Sequence, residues 1–242
     1  MSAITASQLL RPGLLQGRSI LLAGAPPAIG LHGSLAQAVA GACSRLGADV
    51  CHCPLGLLGD DGGTIEPAVA EAIADARDIE LLVLDCAGIF AHACRRVAHN
   101  TDDPDDSDRD RSSAAREALR DCLDISWNVT RAVTDSAFLP NARGGRIVYL
   151  APPADAARHA DAARAGIENL ARTLSIEWAR HRITTVAIAT GTASADQVAA
   201  LTAYLASPAG AYFSGCLLDL SRACEERPIQ GAGPGGLAAA GQ

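Results

Sequence analysis

The chain has 242 residues and a formal net charge of −7, and 49% of it is hydrophobic although only 3% is aromatic. That length suits one α/β domain with a full core, and an acidic balance without a basic stripe argues against a nucleic-acid surface. No apolar run reaches membrane-spanning length and the first residues lack signal-peptide order, so the chain is read as cytoplasmic, with no membrane partner.

Residues 1–17 read as an N-terminal arm with a turn at Pro12-Gly13. A short apolar strand follows at 19–22, then the loop AGAPPAIGLHG. Ser34 is a good N-cap for a helix running through Leu35, Val39 and Leu46 to Gly47, and 49–53 is a second strand. Together they form the βαβ entry of a doubly wound nucleotide-binding fold. In such folds the first loop is glycine-rich, so that backbone N–H groups can approach a pyrophosphate. Here Gly24 opens the loop. Ala28-Ile29-Gly30 closes it in one register and Ser34-Leu35-Ala36 in another, and Pro26-Pro27 removes N–H donors in between. The second strand ends in Cys53-Pro54, where a dinucleotide site usually has a residue for the adenosine ribose. Asp60 and Asp61, in a Gly-rich turn, read as solvated residues.

A helix is expected at 65–76 and a fully apolar strand at 79–85, closing in Asp85-Cys86-Ala87-Gly88. The acidic stretch 100–113 reads as a surface loop inserted before a long helix at 114–138. A strand at 146–151 precedes the most informative segment, 164–191. There Ile167, Leu170, Leu174 and Trp178 share one helix face, Arg180, His181 and Arg182 place positive charge at its C-terminal end, and the strand ITTVAIA follows. Only TASAD separates Gly191 from a helix under way at 198–206, and AYFSGCLLDL supplies the last strand. Residues 223–242 read as a flexible Gly/Ala-rich tail. The chain has eight cysteines, scattered singly, which suits buried thiols in a reducing compartment. In Cys51-His52-Cys53, strand alternation splits the histidine from the thiols, so no metal is expected.

RAGIENLARTLSIEWA, Val-Thr-Arg-Ala at 129–132, Ala87-Gly88 and AYFSGCLLDL resemble the short-chain dehydrogenase/reductase family. The resemblance implies a Rossmann-like, doubly wound parallel sheet over residues 18–222. It also locates the family's working residues. The degenerate cofactor positions are Gly24, Ala28, Gly30 and Cys53. The catalytic Asn falls at Cys122, the Ser at Ala151 or Pro152, the Tyr at Ala160 and the Lys at Arg164. That Tyr gives its proton to a developing alkoxide while Lys lowers its pKa; alanine does neither, and arginine holds its proton too tightly to relay it. Asn128 lies on another part of the helix from Cys122. Tyr149 is out of register, and His159, next to Ala160, would reach the same spot only from a shifted helix. The family's substrate-covering segment after Gly191 is missing as well. No catalytic residue and no cofactor are therefore expected in this chain.

In the family, the fourth helix and the Lys-bearing helix pack against the same pair from another subunit, and these are the best-kept stretches here. Some heteromeric members, one of them in anaerobic toluene breakdown, pair an active subunit with one that lacks a working site. The expectation is a non-catalytic subunit that stabilises or shapes an active, NAD-bearing partner oxidising a hydroxyacyl-CoA-type substrate. Contact would run through helices around 114–138 and 160–180. The alternatives are an unusual NAD(P)-dependent oxidoreductase using His159 or a partner's residue, and a ligand sensor on the same fold.

Overall fold

The computed structural model describes residues 10–25, 34–55, 64–74, 76, 78–100, 108–140 and 143–221. Six strands form one sheet: β1 (Ser19–Gly24), β2 (Asp49–Pro54), β3 (Leu81–Asp85), β4 (Gly145–Ala151), β5 (Ile183–Ala189) and β6 (Cys216–Asp219). Their order is β2-β1-β3-β4-β5-β6 and every pairing is parallel. The winding reverses between β1 and β3, which fixes the switch point where doubly wound folds place their ligands. The usual order carries a third strand outside β2. Here α2 (Ile65–Ala74) is the element described between β2 and β3, and among the described strands β2 is the sheet's edge.

Parallel strands need crossovers, and these helices cover both faces. α1 (Leu35–Arg45) and α6 (Ala195–Ala206) pack together on one face. α2, α3 (Cys86–Asn100), α4 (Asp108–Val133) and α5 (Ala160–Glu177) pack among themselves on the other. Side-chain alternation splits the strands between two cores. Ile20, Leu22, Val83, Val148 and Val186 join α1 and α6. Leu21, Leu82, Leu84, Ile147 and Tyr149 join the opposite layer. Leu15 is fully buried, and its N–H donates to Leu46 O at 2.9 Å, which ties the segment before β1 to the end of α1.

Ser34 caps α1 as expected, in a reciprocal box with Gln37 in which both bonds are 3.2 Å. The same device starts α6 earlier than expected, at Ala195, because Ser194 and Gln197 cap each other. The helix expected over 65–76 stops at Ala74. The long helix ends in a π-helical turn, Thr134–Phe138. α5 closes at Glu177, and the basic residues after it enter a 3-10 turn, Ala179–His181.

The larger correction concerns 86–113. α3 starts directly at the end of β3, and α4 starts at Asp108, so much of the expected acidic loop is helix; residues 101–107 lie outside the described residues. Cys86, Ile89, Phe90, Ala93 and Val97 bury one face of α3 at helical spacing. Arg96 on α3 bonds to Asp121 and, at 3.3 Å, to Glu117 on α4, which joins the two helices. The tail 223–242 lies outside the described residues.

Candidate functional site

Gly24 ends β1 beside Asp85, its register partner on β3. Asp85 is 5% exposed, and its Oδ1 accepts the Gly88 N–H at 2.8 Å, so the last residue of the strand caps the helix that follows. A Cβ on Gly24 would lie 3.0 Å from Asp85 Cβ, and one on Gly88 would lie 2.5 Å from Asp85 Oδ2. Both glycines make room for this carboxylate. Burial pushes its pKa above the usual carboxylate range, and the Gly88 bond offsets only part of that. A buried acid at the switch point is also an unfavourable neighbour for a pyrophosphate.

Among the described residues, Ala25, Leu55, Ile89, His92, Asp121 and Ile125 line a gap of about 20 Å³, room for a water molecule. Ile89 and Ala93 of α3 form one side of it; the loops 26–33 and 56–63 lie outside the described residues. His92 Nε2 is buried there without a hydrogen-bond partner, and burial, followed by the charges of Arg95 and Arg96, lowers its pKa. Cys53 is a core thiol whose S–H donates to Ala68 O at 3.7 Å; burial pushes its pKa to about 11. It offers nothing to a ribose. Ala28, Gly30, Asp60 and Asp61 lie outside the described residues.

The fold gathers most of the family's catalytic positions, but as core. Cys122, Ala151 and Ala160 are fully buried in one apolar cluster with Phe90 of α3, and Pro152 is buried beside Ala151 in sequence. Cys122 S–H donates to Cys86 O at 3.6 Å, and burial pushes its pKa to about 12, so it stays a thiol. Ser126 Oγ–H donates to Cys86 Sγ at 3.3 Å. Thr190 Oγ1–H donates to the Ala151 carbonyl at 3.1 Å. Arg164 is set apart: its Nη2 pairs with Asp219 Oδ2 at 3.8 Å, at the end of β6. Tyr149 is fully buried with its hydroxyl 3.1 Å from Thr130 Oγ1, and burial raises its pKa.

His159 is not on a helix face. It is the residue before α5, held at φ +66°, and its Nε2 is buried without a hydrogen-bond partner. The chain must turn sharply between β4 and α5, and this residue takes the left-handed conformation of that turn. Beyond β5, Gly191 takes φ +50° because a Cβ there would lie 2.4 Å from Ser221 Cα. The strand therefore runs directly into the Ser194 cap of α6, with no covering segment between them.

Sequence reasoning places Asp85 only at the end of a strand, without its capping role, and assigns no structure to the segment that holds Phe90. The apolar spacing from Cys86 to Val97 was the available signal. Among the described residues, no group of three or more His, Cys, Asp and Glu side chains is placed to hold a metal ion, and no helix is long and apolar enough to cross a membrane.

No protein-family model matches the chain, and no curated protein matches it in sequence. Its fold matches solved short-chain dehydrogenases. A hydroxysteroid dehydrogenase from Escherichia coli aligns with TM-score 0.63 at 16% identity, over 86% of this chain and 98% of that one. The citronellol catabolism dehydrogenase of Pseudomonas aeruginosa aligns with TM-score 0.60 at 23% identity, over 87% and 96%. A Beutenbergia cavernae protein described as an NAD(P)-dependent gluconate 5-dehydrogenase, with NADP bound at low occupancy, aligns with TM-score 0.61 at 21% identity, over 87% and 97%. At these identities the likeness establishes a Rossmann-like short-chain dehydrogenase fold.

Two outcomes follow. Since the folded pKa of Asp85 is raised, its stabilising contribution is complete below its unfolded pKa and is lost as pH rises through the folded value. Asp85→Asn, which keeps an oxygen for Gly88, should therefore stabilise the protein at neutral pH. The gain should vanish toward about pH 4, near the unfolded carboxyl pKa, in urea unfolding across that range. Ala160→Tyr, which returns the family's acid, should overfill the cluster and cost about 1–3 kcal/mol, without conferring carbonyl reduction in an NADPH-oxidation assay.

Proposed function

We propose that this chain is the non-catalytic subunit of a heteromeric short-chain dehydrogenase, held to an active, NAD-bearing partner through α4 and α5. The observation that carries this reading is the contrast between the two sides of that helix pair. Inward, the positions of the family's Asn, Ser and Tyr are buried among apolar neighbours. Outward, large apolar surface is exposed. Trp127 on α4 is 40% exposed and stacks on Trp178 at the end of α5, with ring centroids 6.4 Å apart and planes 17° apart. Ile176 on α5 is 76% exposed.

Aromatic anchors of this kind concentrate binding energy when a partner excludes water from them. Arg116, Arg120 and Asp124 precede Trp127 on the same exposed stripe of α4 and supply a mixed-charge rim that selects a partner. The chain then contributes a rigid α/β body that stabilises the active subunit or shapes its substrate pocket. The hydroxyacyl-CoA class of substrate rests on resemblance: the chain is similar in kind to the inactive subunit of 2-[hydroxy(phenyl)methyl]succinyl-CoA dehydrogenase of anaerobic toluene breakdown.

Co-expression of the tagged chain with each short-chain dehydrogenase of its own genome that keeps the Ser, Tyr and Lys should give one stoichiometric complex by native mass spectrometry. Ile176→Glu should dissociate that complex while leaving the isolated chain's circular dichroism unchanged. Homo-oligomers or monomers alone in every pairing would contradict the proposal.

A further inference from the structure

The N-terminal edge of the sheet, opposite the switch point, holds an open pocket of about 260 Å³. Its wall is built from residues at the strand entrances: Arg18 before β1, Glu80 before β3, Arg143 and Arg146 at β4, and Arg182 before β5. Four arginines and one acid thus line it. Arg18 pairs with Glu80, and Arg143 with Asp78 at 2.9 Å, whereas among the described residues Arg146 has no carboxylate within ion-pair distance. The parallel topology brings these arginines together, because every strand enters from this side.

Arg146 is the central group. Its Nη1 donates to the carbonyls of Leu205 and, at 2.8 Å, Ser207, where α6 ends. That contact is ordinary helix capping. Its Nε is different: it is buried with no hydrogen-bond partner, a costly state for a charged donor. Burial, and then the neighbouring Arg18 charge, lowers the Arg146 pKa, so a negative ligand here would be favoured. The surrounding backbone is tightly fixed. Gly144 takes φ +82°, and a Cβ there would lie 2.4 Å from Arg182 O, so the approach to β4 is pinned against the start of β5. Helix capping accounts for Nη1 but supplies no counter-ion to the Arg146 charge.

We propose that this pocket binds a small oxyanion: a phosphate group, free or carried on a short metabolite, with Arg146 as the central donor and Arg18 and Arg143 flanking it. Guanidinium forks match phosphate oxygens in geometry as well as charge. The volume admits a phosphate and a short carbon body but falls below most cofactor sites. The site is independent of the helix face assigned to a partner.

The test is isothermal titration calorimetry of the full chain at low ionic strength, with inorganic phosphate and, separately, glycerol 3-phosphate. Saturable binding with Kd of about 1 mM or tighter is expected for at least one of them. Equal affinity would identify free phosphate as sufficient, and tighter glycerol 3-phosphate binding would show that the carbon body is read. Arg143→Gln, in an exposed turn, should weaken binding roughly tenfold at unchanged circular dichroism. Arg146→Lys keeps the charge but loses the fork, and should weaken it similarly. No saturable heat with either probe up to about 10 mM, or wild-type affinity in both variants, would overturn the proposal.

Discussion

The constraint on which the rest depends is the way β3 ends. Asp85 closes the strand and caps α3 in one step, through its bond to the Gly88 N–H. In an open α/β sheet the loop at this point normally leaves a crevice beside the first strand. Here a helix begins immediately, and its direction is set by a buried carboxylate that Gly24 and Gly88 both make room for. Ile89, Phe90 and Ala93 then pack in toward the sheet, and Arg96 fastens the helix to α4. A capping interaction worth about 1 kcal/mol thereby helps fix where α3 lies.

The residues beneath α3 make sense as a consequence. A serine, a tyrosine and an asparagine without substrate or water would be buried polar groups in need of partners. Cys122, Ala151, Pro152 and Ala160 remove most of that need and pack as core. The polar groups that remain nearby are largely paired: Ser126 with Cys86, Thr190 with the Ala151 carbonyl, and Thr130 with Tyr149. Among the described strands β2 stands at the edge of the sheet.

Much of this was legible in the sequence. The apolar runs of β3 and β5, the Ser34 cap and the amphipathic face from Ile167 to Trp178 follow from periodicity and turn chemistry alone, and the structure keeps them. The 86–113 segment was less legible because charge and short apolar spacing gave opposing signals. An acidic run reads equally well as a loop or as the solvated start of a helix, and here its second part, from Asp108, is the start of α4. The left-handed backbone at His159 has no sequence signal, since it is imposed by the turn out of β4. The arginine pocket was invisible for a topological reason: Arg18, the Arg143–Arg146 segment and Arg182 are far apart in sequence and meet only because all the strands enter the sheet from one side.

The central claim, a subunit that carries no nucleotide of its own, is tested most directly by titrating the purified chain, alone, with NADH and NADPH and following nucleotide fluorescence. The account predicts no saturable binding up to about 1 mM nucleotide. Binding in the micromolar range would contradict it, because the chain would then hold the dinucleotide that the account assigns to the partner.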